Sequence, residues 1–292
     1  MNEHLIAQLL EQTAYDASHE RWLHASQSLL RILHEHPDRI DLSLRLADVY
    51  LRMGNLDAAE RTMLVALGRD PGNVDVLYAL GRMFYAGERF DDALRYLEQL
   101  LPYHIPQAHF TTGLIHFKRG NLAAAERHFR RTIELEADHP RGHEMLGRTL
   151  IAARSFEAAR TVLMVAVTLP GEDGTAWTLL GSSCALLGRW DESIAAFNKA
   201  VQLRPNDASL MGEFAQAMIR GGRLSEAEDM LRRAGAVDAG APHVLLGWGM
   251  LMIEKADRTR ATSYFDRVLT IDPTNEAALQ YRSLLTTHNQ PA

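Results

Sequence analysis

Hydrophobic residues in this chain recur at i, i+3, i+4 and i+7, in paired stripes divided by short polar turns. That spacing puts each stripe on one face of an α-helix. The stretch 174–207 shows the pattern most fully. Trp177, Leu180, Gly181 and Cys184 mark a first helix, and Ser193, Phe197 and Ala200 mark a second, with Pro205 beyond it. The small residues Gly181 and Ser193 predict a close approach of the two helices, with Trp177 and Phe197 filling the space around it. Gly188 suits the left-handed turn that ends the first helix. Pro205 has no N–H to continue the second.

The same pair recurs from residues 6, 40, 74, 106, 140, 174, 208 and 242, and a partial ninth copy starts at 276. Every step is 34 residues except the third, which is 32. Numbering each copy from its first residue, Leu80, Gly81, Phe84 and Ala93 occupy the same positions as in 174–207. So do Gly113, Ala125 and Phe129; Leu146, Gly147, Ala159 and Leu163; and Gly249, Ala261, Phe265 and Pro273, with Gly120 in the turn. This register resembles the tetratricopeptide repeat, W-x2-L-G-x2-Y, then A-x3-F, then P. The resemblance implies an all-α fold, a right-handed superhelical α-solenoid of helix-turn-helix repeats. The expected organisation is one solenoid over 1–292, with repeats 6–39, 40–73, 74–105, 106–139, 140–173, 174–207, 208–241 and 242–275. A capping helix, 276–288, follows, with Leu279, Leu284 and Leu285 on it.

Irregular copies refine this. Thr13 and Asp16 stand where Gly and Tyr would, as befits a terminal repeat. Pro102 and Pro106 bracket the loop that closes the shortened third repeat, and should end its second helix early.

Composition agrees with a soluble scaffold. The chain has 292 residues, 47% hydrophobic, and a net charge of −6, which argues against nucleic-acid binding through a basic stripe. The start, MNEHLIAQLLEQ, lacks a signal peptide's basic and apolar regions, and no apolar run approaches 18 residues. We therefore expect no membrane insertion and a cytoplasmic location. With one cysteine, Cys184, there is no internal disulfide.

Little in the chain points to catalysis. His109 and His116 hold positions 4 and 11 of their repeat, and His143 position 4 of the next. Those slots face the core, so the histidines stand in for aromatic residues. With His104, His128 and His139 they form no HExxH or CxxC ligand pattern. Cys184 occupies a packing slot, where a thiol is inert. The carboxylate pairs Asp91–Asp92 and Glu172–Asp173 fall at turns. No enzyme activity, metal or cofactor is expected.

A partner is expected instead. Positions 2, 6, 9 and 13 of each first helix point away from the packing face. In the resembled family that helix lines a concave groove holding peptides or partner helices. By position, the lining is Asp41, Arg45, Asp48 and Arg52; Asp75, Ala79, Arg82 and Ala86; Gln107, Thr111, Leu114 and Lys118; and Arg141, Met145, Arg148 and Ala152. Six of these sixteen are basic and three acidic, a net positive stretch that could hold an acidic segment of a partner, although the charges alone fit a solvated face at least as well. The alternative is a solvated face with internal pairs such as Asp41–Arg45 and Asp48–Arg52. The family's chaperone-tail binders use asparagine and lysine at positions 5, 6 and 9. No asparagine stands there, and position 5 holds Leu44, Tyr78, Phe110 and Glu144. Tyr78, Tyr85, Phe110 and Phe117 could form a stacking ladder, but the same slots hold Leu44, Leu51, Leu246 and Ile253 elsewhere, which indicates core. Leu179, Leu186 and Met250 suggest an exposed apolar strip, and possible self-association, across repeats 6–8. The leading reading is a non-catalytic protein-interaction scaffold or adaptor. The alternative is a regulatory or targeting subunit that recruits a separate catalytic chain to an enzyme, envelope or secretion assembly.

Overall fold

The computed structural model describes residues 3–171 and 173–287. Glu172 and His288, the last position of the expected capping helix, lie outside the described residues. The described residues form seventeen α-helices and no strand. They gather into two compact units, Met1–Leu135 and Glu136–Ala292.

In unit 1, α1 (Glu3–Ser18) pairs with α2 (Trp22–Glu35), α3 (Ile40–Arg52) with α4 (Leu56–Arg69), and α5 (Val74–Ala86) with α6 (Phe90–Leu97). A 3-10 segment, Glu98–Tyr103, leads to α7 (Pro106–Lys118), which pairs with α8 (Leu122–Leu135). In unit 2 the pairs are α9 (Pro140–Ala152) with α10 (Phe156–Ala166), and α11 (Thr175–Leu186) with α12 (Trp190–Leu203). They continue as α13 (Ala208–Arg220) with α14 (Leu224–Asp238), and α15 (Pro242–Glu254) with α16 (Arg258–Ile271), closed by α17 (Glu276–Thr287).

Five of the eight pairs are held by the same contact. A Cβ added at Gly81 would stand 2.6 Å from Leu97, at Gly113 2.7 Å from Phe129, and at Gly147 2.5 Å from Leu163. Gly181 against Phe197 and Gly249 against Phe265 repeat it, at 2.9 and 2.5 Å. Position 8 must therefore be small because position 24 fills that space, a constraint of close packing. Position 20 obeys the same rule. Ala25, Ala59, Ala93, Ala125, Ala159, Ala227 and Ala261 are fully buried there. Ser193 is too, its Oγ donating to the Gly181 carbonyl at 2.8 Å.

The left-handed turn expected at Gly188 occurs in all eight pairs. Gly54, Gly120, Gly188 and Gly222 take positive φ, and so do Glu20, Glu88, Arg154 and Ala256. That conformation costs an L-residue about 1 kcal/mol more than glycine. Ala256→Gly is expected to raise unfolding stability by about 0.5–1 kcal/mol, as urea titration would read.

The third repeat ends as its prolines predict. Helix α6 stops at Leu97, the tighter 3-10 segment contains Pro102, His104 turns left-handed at φ 57°, and Pro106 opens α7. With more rise per residue than an α-helix, the 3-10 segment still seats Leu100 fully buried. In the terminal repeat, Thr13 and Asp16 are buried, and the Thr13 hydroxyl donates to the Leu9 carbonyl at 2.7 Å. In unit 2, α17 packs with one face and exposes the other. Ala278, Tyr281 and Leu285 pack on the core, Tyr281 stacking on Phe265 at 5.1 Å, whereas Leu279 and Leu284 face outward.

Candidate functional site

In unit 1 the first helices α3, α5 and α7 touch in sequence, and their unpacked faces carry the expected lining. Asp41, Arg45, Asp48, Arg52, Asp75, Arg82 and Lys118 are exposed, and Leu114 is half-buried. Thr111 is a correction: it is buried, and its hydroxyl donates to the Gln107 carbonyl at 2.8 Å. In unit 2, α9 exposes Arg141 and Arg148, with Met145 half-buried.

The charges differ in how far they are already neutralised. Asp41 is held by Arg39 at 2.8 Å, not by Arg45 as the helical spacing suggested. The Arg39 guanidinium keeps the Asp41 carboxyl below its ordinary value. Asp48 does meet Arg52, at 3.8 Å. Lys118 pairs with Glu88 at 3.2 Å and lies over the Tyr85 ring at 5.5 Å. Arg148 pairs with Glu144 at 3.3 Å. Exposed pairs of this kind contribute about 0–1 kcal/mol, so a ligand can displace them. Among the described residues, Arg45 and Arg82 have no ion pair. Arg82 instead lies over the Tyr78 ring at 5.7 Å.

Between α3, α4 and α5 lies a cavity of about 390 Å³. Leu51, Met63, Ala79 and Met83 give it an apolar floor, and Asp48 and Arg82 stand at its rim. The small residues at positions 6 and 13, Ala79 and Ala86, leave this space open. Sequence reasoning placed both on the lining without seeing that together they open a pocket.

Three of the four aromatic residues set aside as core pack there, and Phe117 is half-buried. Phe110 is buried against Phe129, ring centroids 5.7 Å apart, and Tyr78 and Tyr85 pack on the unit 1 core. Cys184 is buried, and burial pushes its thiol above its ordinary value, consistent with an inert residue. Among the described residues no group of three or more His, Cys, Asp or Glu side chains is placed to hold a metal ion.

The two-helix frame matches a known family model. Tetratricopeptide repeat models match residues 18–74, 44–102, 78–140 and 110–171, together just over half of the chain. The chain belongs to the tetratricopeptide repeat family. Residues 160–279 also match the model described as the cytochrome c-type biogenesis protein H TPR domain. TPR repeat-containing protein MJ1428 of Methanocaldococcus jannaschii is 24% identical over 243 residues, 82% of this chain and 40% of that protein. Cytochrome c-type biogenesis protein CycH of Rhizobium meliloti is 26% identical over 110 residues, 37% of this chain and 29% of that protein. The chain thus spans well under half the length of these relatives. Among solved structures, the APC/C hetero-tetramer Cut9–Hcn1 superposes with a TM-score of 0.61 at 15% identity, over 95% of this chain and 55% of that one. The C-terminal part of a TPR repeat-containing protein from Cytophaga hutchinsonii gives 0.59 at 11% identity, over 93% of this chain and 98% of that one. At such identities the likeness concerns the fold. No helix among the described residues is long and apolar enough to cross a membrane.

One tetratricopeptide position departs from its ordinary role in unit 2. Met250, at position 9 of its repeat, is only 5% exposed, contrary to the expected strip. The reason is direct packing of α13 on α15: a Cβ at Gly212 would lie 2.6 Å from the His243 carbonyl carbon and 2.7 Å from the Val244 nitrogen. Gln216 Nε2 donates to the His243 carbonyl at 2.9 Å across the same contact. Leu179 is half-buried, and Leu186, 53% exposed, is what remains of the strip. The same closure forms a polar cluster that sequence reasoning missed. Glu213 accepts from Ser182 Oγ at 3.3 Å and faces His243 at 3.8 Å. Burial raises its carboxyl above the ordinary value, with His243 opposing.

Proposed function

We propose that this chain is a non-catalytic scaffold that holds a partner polypeptide on the exposed face of its first helices. An acidic stretch of the partner sits over Arg45 and Arg82 of unit 1. The observation that supports this most is the placing of two exposed guanidiniums without a close ion pair beside an apolar cavity whose rim carries one of them. A carboxylate satisfies the planar donors of arginine in bidentate fashion, while an aliphatic neighbour fills the space over Met63 and Met83. Asp41, Asp48, Arg52, Asp75, Leu114 and Lys118 complete this face, their weak ion pairs opening to the ligand. Arg141, Met145 and Arg148 of unit 2 form a separate patch of the same chemistry. On the first-helix faces of repeats 6–8, Leu186 alone is a small apolar area for self-association, so the partner is taken to be another polypeptide.

Selection of random dodecapeptides on the immobilised full chain tests the reading. Enriched peptides are expected to carry Asp or Glu beside an aliphatic residue, and to bind with an affinity that falls as salt rises. Enrichment of basic or purely aromatic peptides would contradict it.

A second reading rests on the match of residues 160–279 to the cytochrome c-type biogenesis protein H TPR domain. There the chain recruits a separate catalytic chain to an assembly. Stoichiometric co-purification with an enzyme would favour this over capture of a linear segment.

A further inference from the structure

Repeat 4 packs two imidazoles of α7 against a third from α8, and the proposed binding face uses none of them. His109 and His116 project from α7 on either side of His128 from α8. His109 Nδ1 lies 3.3 Å from His128 Nδ1. The His128 ring centroid is 5.5 Å from that of His109 and 5.5 Å from that of His116, the latter pair stacked at 17°. His109 is 8% exposed, and its Nε2 is buried with no hydrogen-bond partner. We propose that His109, His116 and His128 form an acid-sensitive latch on the α7–α8 hairpin, closed when the three rings are neutral and opened by their protonation.

The geometry sets the direction. Two ring nitrogens 3.3 Å apart share one proton: one donates and the other accepts. A proton on both puts two N–H donors face to face. The remaining site on His109, Nε2, is buried with no hydrogen-bond partner, and the Leu101 backbone favours an added proton less than burial disfavours it. The charged groups around the cluster reinforce this. Arg127 and Arg131 of α8, Arg119 at the end of α7 and His104 of the 3-10 turn disfavour added charge. Glu98 of the 3-10 segment favours charge on His116 less than Arg119 disfavours it, Glu134 of α8 favours it weakly on His109, and Asp91 of α6 is already engaged by Arg119 at 2.8 Å. Burial is the largest influence on all three rings, lowering His109 and His116, and lowering His128 to about 4.

The sign follows from linkage. A histidine whose folded value is depressed binds fewer protons in the hairpin than when released, so stability is full above the released value and is lost as pH falls. For His128 the window runs from 6.5 down to about 4. At pH 5, that difference favours the open hairpin by up to about 30-fold over neutral pH. Allowing for solvent screening at a half-buried ring, about tenfold is expected.

Hydrogen exchange of the full chain, corrected for intrinsic rates, tests this at pH 7.5 and 5.0. Amides of α7 and α8 are expected to lose protection about tenfold or more at pH 5.0, and those of α3 and α4 about twofold or less. His128→Gln is expected to keep the hairpin's protection at both values. Equal changes in both hairpins would overturn the latch, as would a His128→Gln chain as acid-labile as the parent. Should that variant not fold, the NMR titration of the parent decides: a folded His128 titrating at 6 or above refutes the latch, and one well below it supports it. No ligand enters this experiment. Although α7 also carries Leu114 and Lys118, the latch and the binding proposal therefore stand or fall separately.

Discussion

Truncating Phe197 to alanine is expected to lower the stability of unit 2 by about 3–5 kcal/mol, the usual range for a buried phenylalanine. The ring is 2% exposed, it meets the backbone of Gly181 where a Cβ would be 2.9 Å away, and it lies 6.1 Å from the Phe214 ring. Neighbouring helices cannot collapse into the gap without breaking the contacts on either side, so most of the cavity should persist. Gly181→Ala offers the complementary check. In the parent it should destabilise, because the added methyl meets the ring. In the Phe197→Ala chain it should cost much less, a coupling of about 1 kcal/mol or more between the two positions. Three of the four tryptophans, Trp177, Trp190 and Trp248, lie in unit 2, and Trp22 in unit 1, so urea titration by the tryptophan fluorescence of a Trp22→Phe background reads unit 2. A loss below about 1 kcal/mol for Phe197→Ala would contradict the packing described.

The second large effect concerns a substitution whose sign local propensity gets wrong. In an isolated helix, glycine to alanine stabilises by about 1 kcal/mol. At Gly212 the new methyl would stand 2.6 and 2.7 Å from backbone atoms of α15, not from the movable end of a side chain. Relief requires the two helices to part, at a typical overpacking cost of about 1–3 kcal/mol. Gly212→Ala is therefore expected to be a net loss of up to about 2 kcal/mol. Gly235 in α14 has nothing within 4 Å of its Cβ site. Gly235→Ala should follow propensity and gain about 0.5–1 kcal/mol. Opposite signs from the same substitution in one unit would establish that close helix approach, rather than helix preference, governs Gly212.

How much of this was legible beforehand depends on whether a property repeats. The helix starts at 40, 74, 106, 140, 208 and 242 match the 34-residue register, because small residues at positions 8 and 20 have to recur wherever two helices meet. Core and lining separated by the same arithmetic, so Arg45, Arg82 and Arg148 were placed on the exposed face and His109 and Phe110 in the core. What the period could not express were contacts made once. The direct approach of α13 to α15 depends on Gly212, and Met250 is buried there at a position that is exposed in α3, α5 and α9. The left-handed turns at Glu20, Glu88, Arg154 and Ala256 carry no glycine to announce them. Ion pairing was equally local: Asp41 turned to Arg39, two residues away, where helical spacing pointed to Arg45. Nor does the periodicity show that His109, His116 and His128 meet, since two come from one helix and the third from its partner.

The account's central claim is that the exposed arginines of α3 and α5 hold an acidic partner segment. It is tested most directly by measuring the affinity of a selected acidic peptide for the parent and for the Arg45→Glu/Arg82→Glu chain, across a range of salt concentrations. Both side chains are exposed and lack ion pairs among the described residues, so the double variant should unfold at the parent's urea midpoint. The account predicts that the variant binds at least about 30-fold more weakly at low salt, and that its affinity loses most of its salt dependence. An equally stable variant that binds the peptide as the parent does, with the same salt dependence, would contradict it.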